Sequence, residues 1–321
     1  MPVSLFDHYY SYDPGYGYSL DDLLSVPAPQ EPADFSRFWR DKYQKTLTVS
    51  PQFSLNYQCL RAGYRVYDIS YQSTDGFRIA GWLLEPDAQP ITRSIVVGHG
   101  YGGREQPDFH LSIPGAALLF PCFRGISRSR CERLPDQPNQ HVVQGIDDPN
   151  HYVIGGCVED LWLAVTVLGE RYPAIANKIG YMGISFGGGI GALAAPWDAR
   201  IKRVHLNVPT FGNQPLRLSL PTSGSAAALK AYSQNHHNVF DTLAYYDAAV
   251  SARYAIQPLH AAVALFDPVV APPGQFAIYN AWAADKLLFI LDAGHFDYPR
   301  QHDQERQLIA ELQHFFGESS L

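Results

Sequence analysis

The chain has 321 residues, 46% of them hydrophobic and 17% charged, which is ample material for a large core. Its net charge of −7 sets the surface against phosphate backbones, so nucleic acid is not an expected partner. No run approaches the roughly 18 apolar residues of a membrane span, and no run of like charges marks an interaction tail.

The first residues, Met1 to His8, show no basic start followed by an apolar stretch, so no secretory leader is expected. Four scattered cysteines, Cys59, Cys122, Cys131 and Cys157, form no CxxC pair and suit reduced thiols in a cytoplasm. Cys122 and Cys131 are close enough in sequence that a pair stays open.

Residues 1–33 are rich in Tyr, Asp, Pro and Gly and read as an irregular arm packed on something. A helix follows, with Asp34 as its expected N-cap and Phe35, Phe38, Trp39 and Tyr43 at helical spacing. Residues 1–50 therefore form an arm and helix resting on the core or on a neighbouring subunit, and 51–321 form one domain. From 54 to 86 the pattern alternates, and Asp75-Gly76 marks a hairpin turn between two antiparallel strands. Short apolar runs then recur at 94–97, 116–120, 179–182, 204–208, 261–265 and 287–291, separated by helical stretches. Such runs predict buried parallel strands with helices on both faces. Helices are predicted over Val158–Tyr172 and Asp303–Phe316. Residues 209–255 interrupt the rhythm with prolines and helical patterns around 226–232 and 240–254. An insertion there makes a lid or pocket wall.

Gly183-Ile184-Ser185-Phe186-Gly187 fits G-x-S-x-G, and it sits between a strand and a helix of small residues. A sharp strand-to-helix turn lifts the serine oxygen clear of the sheet and sets it at a helix N-terminus, where N–H groups meet developing negative charge. The fold class expected is therefore α/β, with the α/β-hydrolase architecture: a mostly parallel central sheet, an antiparallel N-terminal hairpin, helices on both faces and an insertion before the last strands. A serine needs a base. His295, in the loop after the last strand, is the candidate. Asp267, after the preceding strand, is the acid expected to orient it, in the chain order serine, acid, histidine. Asp292 and Asp297 are rivals, too near His295 in sequence for good geometry. His99-Gly100-Tyr101-Gly102-Gly103 follows another strand, so the backbone N–H groups of Tyr101 and Phe186 are the expected oxyanion donors. His99 itself reads as structural. Tyr101, Arg124, Pro209 and Phe296 are the candidates to line a substrate pocket. Asp147, Asp148 and His151 could suggest a metal, but a solvated turn is the simpler reading, so no metal or other cofactor is expected.

Taken together, these motifs resemble the acetyl xylan esterase and cephalosporin C deacetylase family of carbohydrate esterases. The resemblance rests on His99-Gly100-Tyr101, the 183–189 elbow, Val208-Pro209, Thr242 to Asp247, Asp267 to Pro273 and Ala277 to Asn280, with Asp148-Pro149 and His151-Tyr152 before the first long helix. It implies a cytoplasmic serine deacetylase for small acylated sugars and related esters. It also implies a homo-oligomer, commonly a hexamer arranged as a dimer of trimers. Two departures stand out: Arg124-Gly125-Ile126 where the family has Arg-Gly-Gln, and His295-Phe296 where it has His-Glu. Both bear on the substrate. Another α/β-hydrolase activity, such as a peptidase or a different carboxylesterase, and a non-catalytic binding protein on the same scaffold are the alternatives.

Overall fold

The computed structural model describes residues 5–236 and 238–317. The strands are β1 (Ser54–Arg61), β2 (Tyr64–Gln72), β3 (Arg78–Pro86), β4 (Arg93–Gly98), β5 (Ala116–Pro121), β6 (Ile179–Ile184), β7 (Ile201–Asn207), β8 (Leu259–Ala264) and β9 (Lys286–Leu291). They form one nine-stranded sheet in the order β1-β2-β3-β5-β4-β6-β7-β8-β9. β1, β2 and β3 pair antiparallel, β3 pairs antiparallel with β5, and the rest is parallel. Asp75 and Gly76 make the turn between β2 and β3 with φ of 54° and 71°. The alternating region holds one strand more than the predicted hairpin, because β1 adds to the outer side of β2.

The helices are α1 (Leu20–Leu24), α2 (Phe35–Thr46), α3 (Pro138–His141), α4 (Val153–Arg171), α5 (Phe186–Ala194), α6 (Gln214–Ser219), α7 (Ser225–Ser233), α8 (Val239–Tyr245), α9 (Ala248–Ala252), α10 (Pro272–Ala281) and α11 (Gln301–Gly317). The parallel strands are apolar on both faces because both are covered. Val96, Leu119 and Tyr181 join α4, α5 and α10 in one core. Ile95, Val97, Leu118 and Met182 join α11 in the other. This is the period-two exchange of faces expected along a strand.

Three local expectations change. Asp34 stands at the N-cap of α2 as expected, but its side chain makes no cap hydrogen bond: its carboxylate accepts from the Tyr245 hydroxyl at 2.6 Å and faces Arg37, so it ties the helix to the insertion. The helical pattern at 240–254 is two helices, because the buried Asp247 carboxylate stops one and caps the next through the N–H groups of Ala249 and Val250. The same carboxylate accepts from Asn213 and Gln214, which pins the start of α6. Finally, α4 begins at Val153, earlier than the apolar stripe suggested. Among the cysteines, all four are free thiols, so Cys122 and Cys131 do not pair.

Connections from β4 lead to one side and from β6 to the other, so the crevice at their C-terminal ends is a topological switch point. Ligands in open α/β sheets bind at such points.

Candidate active site

Ser185 follows β6 directly, with φ 54° and ψ −110°. A non-glycine residue is strained in that region. The strain persists because the turn is over-determined. The Ser185 N–H donates to Asn207 O, and its carbonyl accepts from Gly189 and Thr210. Gly183 and Gly187 leave no space for a side chain: a Cβ on the first would meet Gly187 at 2.6 Å, and one on the second would meet Gly98 at 2.7 Å. The glycines of the elbow are thus required by close backbone approach.

Ser185, His295 and Asp267 are brought together by the ends of β6, β9 and β8. His295 Nε2 lies 3.0 Å from Ser185 Oγ, and His295 Nδ1 lies 2.8 Å from Asp267 Oδ2. A carboxylate accepts, so Nδ1 carries the hydrogen and Nε2 is free to accept from the serine hydroxyl. Burial works against a charged imidazole, but the hydrogen bond and the charge of Asp267 outweigh it and raise the His295 pKa above its usual value. Asp267 is fully buried and held on several sides. Oδ1 accepts from the N–H groups of Val269 and Val270, and Oδ2 accepts from the Gln275 amide at 3.0 Å as well as from His295. Gln275 is itself locked, donating to Val270 O and accepting from Ala264 N–H. The rival acid Asp292 is engaged elsewhere, in an ion pair with Arg300 at 2.5 Å.

Tyr101 and Phe186 come together beside the serine. Their rings stack at 4.1 Å, and the two loops are joined by the Gly187 N–H donating to His99 O. Phe186 opens α5, where backbone N–H groups lack intrahelical acceptors. His99 is structural: its Nδ1 lies 2.7 Å from Gly100 O, and its Nε2 accepts from Phe123 N–H. Burial pushes its pKa down to about 3, so it stays neutral.

Ser185 opens on a cavity of about 230 Å³. Of the four side chains expected to line it, Tyr101 does. Arg124 does not: its guanidinium is buried among Asp160, Ser73 and Thr74, where it neutralises a carboxylate under the sheet. Pro209 packs behind the elbow, against Gly188. Phe296 turns outward into an aromatic group with Phe266, Phe6 and Tyr10. The walls are instead Thr210 and Ser223–Ser225 of the insertion, Pro138 and Asn139 of α3, and Val269 and Val270 of the acid loop. Val269 and Val270 fall within the 267–273 stretch that carried the resemblance; the other wall residues, and Gln275, carried no motif, and only the position of the insertion pointed toward some of them. Among the described residues no group of metal-ligating side chains is found, and His151 simply meets Asp148 at 2.9 Å on the surface.

The N-terminal arm reaches this site. Pro14 O accepts the N–H of Asp267 itself, and Tyr12 donates to Pro268 O at 2.7 Å. Phe6 packs edge-on to Phe266 at 5.3 Å.

Comparison with known proteins places the chain and its fold. The family model for acetyl xylan esterase (AXE1) matches residues 18–314. An acetyl xylan esterase from Paenibacillus sp. R4 superposes with a TM-score of 0.80 at 24% identity, covering 92% of this chain and 99% of that one. Acetyl xylan esterase 1 from Thermoanaerobacterium sp. JW/SL YS485 gives 0.80 at 21% identity over the same shares. Brefeldin A esterase, a bacterial homologue of human hormone-sensitive lipase, shares the fold more distantly, with a TM-score of 0.56 at 16% identity over 92% of this chain and 89% of that one. The match across nearly the whole chain shows that this protein belongs to the acetyl xylan esterase (AXE1) family of carbohydrate esterases and is a carboxylic ester hydrolase on the α/β-hydrolase fold.

Proposed function

We propose that the protein is a serine deacetylase that removes short acyl groups, acetyl above all, from small sugars or related alcohols through an acyl-enzyme. The observation that carries this reading is the unbroken chain from Ser185 Oγ through His295 to Asp267 Oδ2, at 3.0 and 2.8 Å, at the mouth of a small cavity. Ser185 Oγ attacks the ester carbonyl while His295 Nε2 takes its proton. Asp267 holds the imidazole in the right tautomer and stabilises its charged form. The oxyanion is received by the N–H groups of Tyr101 and Phe186. His295 then returns the proton to the departing alcohol. Water, activated by the same imidazole, releases the acid and restores the serine.

The cavity supports a short acyl group. At about 230 Å³ it is smaller than the roughly 300–1,000 Å³ of pockets that enclose drug-sized ligands. A series of p-nitrophenyl esters tests this. The expected order of kcat/KM is acetate above butyrate above octanoate, with octanoate at least tenfold below acetate. Octanoate as the best substrate would contradict the short-acyl reading.

A further inference from the structure

The connection from β4 to β5, residues 99–115, joins parallel neighbours without a helix. Such crossovers usually carry one, and it covers the sheet. Here a thin segment takes its place on the α11 face. Gln313 of α11 donates to Ser112 O at 2.8 Å, and Ile113 shares a core with Leu308. Between this segment, α11 and the ends of β4, β6 and β7 lies a cleft of about 600 Å³.

The cleft is apolar in its depths, where Val97, Leu111, Met182 and Leu312 meet. Ile184 also lines it and is 45% exposed, although it lies on a central strand. Asn207 and, around the rim, Asp108, His110, His302 and Glu305 also line it, but among these polar groups only His205 is deeply buried. His205 of β7 is only 4% exposed, and its Nδ1 lies 3.0 Å from His260 O and 3.2 Å from His260 Nδ1. A carbonyl only accepts, so the hydrogen of His205 is on Nδ1. His260 fits this arrangement, since its Nε2 faces Glu311 at 3.2 Å and can donate there. His205 Nε2 is then a bare acceptor with no partner among the described residues. Burial and the neighbouring His260 hold the His205 pKa down to about 3, which keeps the ring neutral. The cation at the rim, Arg306, is turned to Asp303 at 2.6 Å, so nothing here favours an anion.

We propose that this cleft binds a neutral, largely apolar small molecule whose hydroxyl or N–H group donates to His205 Nε2. Its volume falls in the range of pockets that enclose such ligands, roughly 300–1,000 Å³. It shares no lining residue with the Ser185 cavity, and the proposal does not depend on the reaction at Ser185.

The test uses 1-naphthol and naphthalene, read by their fluorescence on titration with the full-length protein. Naphthol is expected to bind saturably, about five- to tenfold more tightly than naphthalene, as one net hydrogen bond allows. His205→Phe should remove that difference. Ile309→Trp, on the half-buried side of α11 facing the cleft, should abolish binding of both without touching the sheet. Ser225→Trp, which fills the other cavity, should leave both unchanged. Absence of saturable binding, binding that survives Ile309→Trp, or binding lost in Ser225→Trp would each overturn the proposal.

Discussion

At the scale of single residues, the histidine is set by its neighbours more than by its own loop. His295 has a positive φ of 48°, and Gly294 before it has no room for a side chain: a Cβ there would sit 2.5 Å from Asp267 Oδ2. The imidazole is therefore held against a carboxylate that is fully committed by hydrogen bonds. Its pKa is raised, the cost of burial being outweighed by Asp267. Since the base must be neutral, the acidic limb of kcat/KM is expected to lie above 6.5, the ordinary histidine value. A pH–rate profile on p-nitrophenyl acetate checks this. A limb below 6.5, or a flat profile into acid, would contradict it. Ser185, His295 and Asp267 were legible in the sequence because each follows an apolar strand and the chain order restricts the choice. Gln275 was not legible. An amide eight residues after an acid has no recognisable signature until α10 folds back on the strand. Arg124 misled for the same reason. An arginine near a site reads as a ligand-binding group unless the buried Asp160 that consumes it is known.

Among the elements, the strands and the long helices were readable because burial on both faces leaves continuous apolar runs, and burial on one face leaves a helical stripe. The insertion was harder. Its helices are short and are stopped by side chains such as Asp247, which caps the next helix and also accepts from N–H groups more than thirty residues away, those of Asn213 and Gln214. The arm shows most clearly how tertiary contact gives meaning to an irregular segment. Residues before 18 lie outside the family match, yet Pro14 and Tyr12 hold the backbone on which Asp267 sits. The arm is thus a brace for the acid. Replacing both Phe6 and Tyr12, as Phe6→Ala with Tyr12→Phe, should lower kcat about ten- to hundredfold, the scale of a small misplacement in a site. The acidic limb should also shift back toward the ordinary histidine value as Asp267 loosens. Steady-state kinetics across pH would show both changes. An unchanged kcat would mean that the arm merely covers the surface.

For the molecule as a whole, the buried histidines make stability depend on pH. His99 and His205 have native pKa values pushed down to about 3 by burial, and His141 and His260 are lowered too. Below about pH 6.5 the unfolded chain takes up protons at these positions that the native state refuses, so stability falls with pH. Each deeply shifted histidine costs about 1.4 kcal/mol per pH unit between its unfolded and native values. His295 acts in the opposite sense: its raised pKa adds stability in acid that is lost as pH rises through its native value. The depressed groups outnumber it. The urea midpoint is expected to fall between pH 7.5 and pH 5; an unchanged or higher midpoint at pH 5 would contradict this account.

The sheet that carries His205 and His260 also aligns the three strand ends on which the proposed chemistry depends. The most direct measurement is mass spectrometry of the protein after treatment with a fluorophosphonate. The account predicts one adduct, on the peptide containing Ser185, absent from Ser185→Ala and formed far more slowly by His295→Ala, together with loss of esterase activity in step with labelling. In Ser185→Ala itself, turnover of p-nitrophenyl acetate should fall roughly ten-thousand- to million-fold. An adduct at another serine that tracks inactivation, or wild-type turnover by Ser185→Ala, would contradict it.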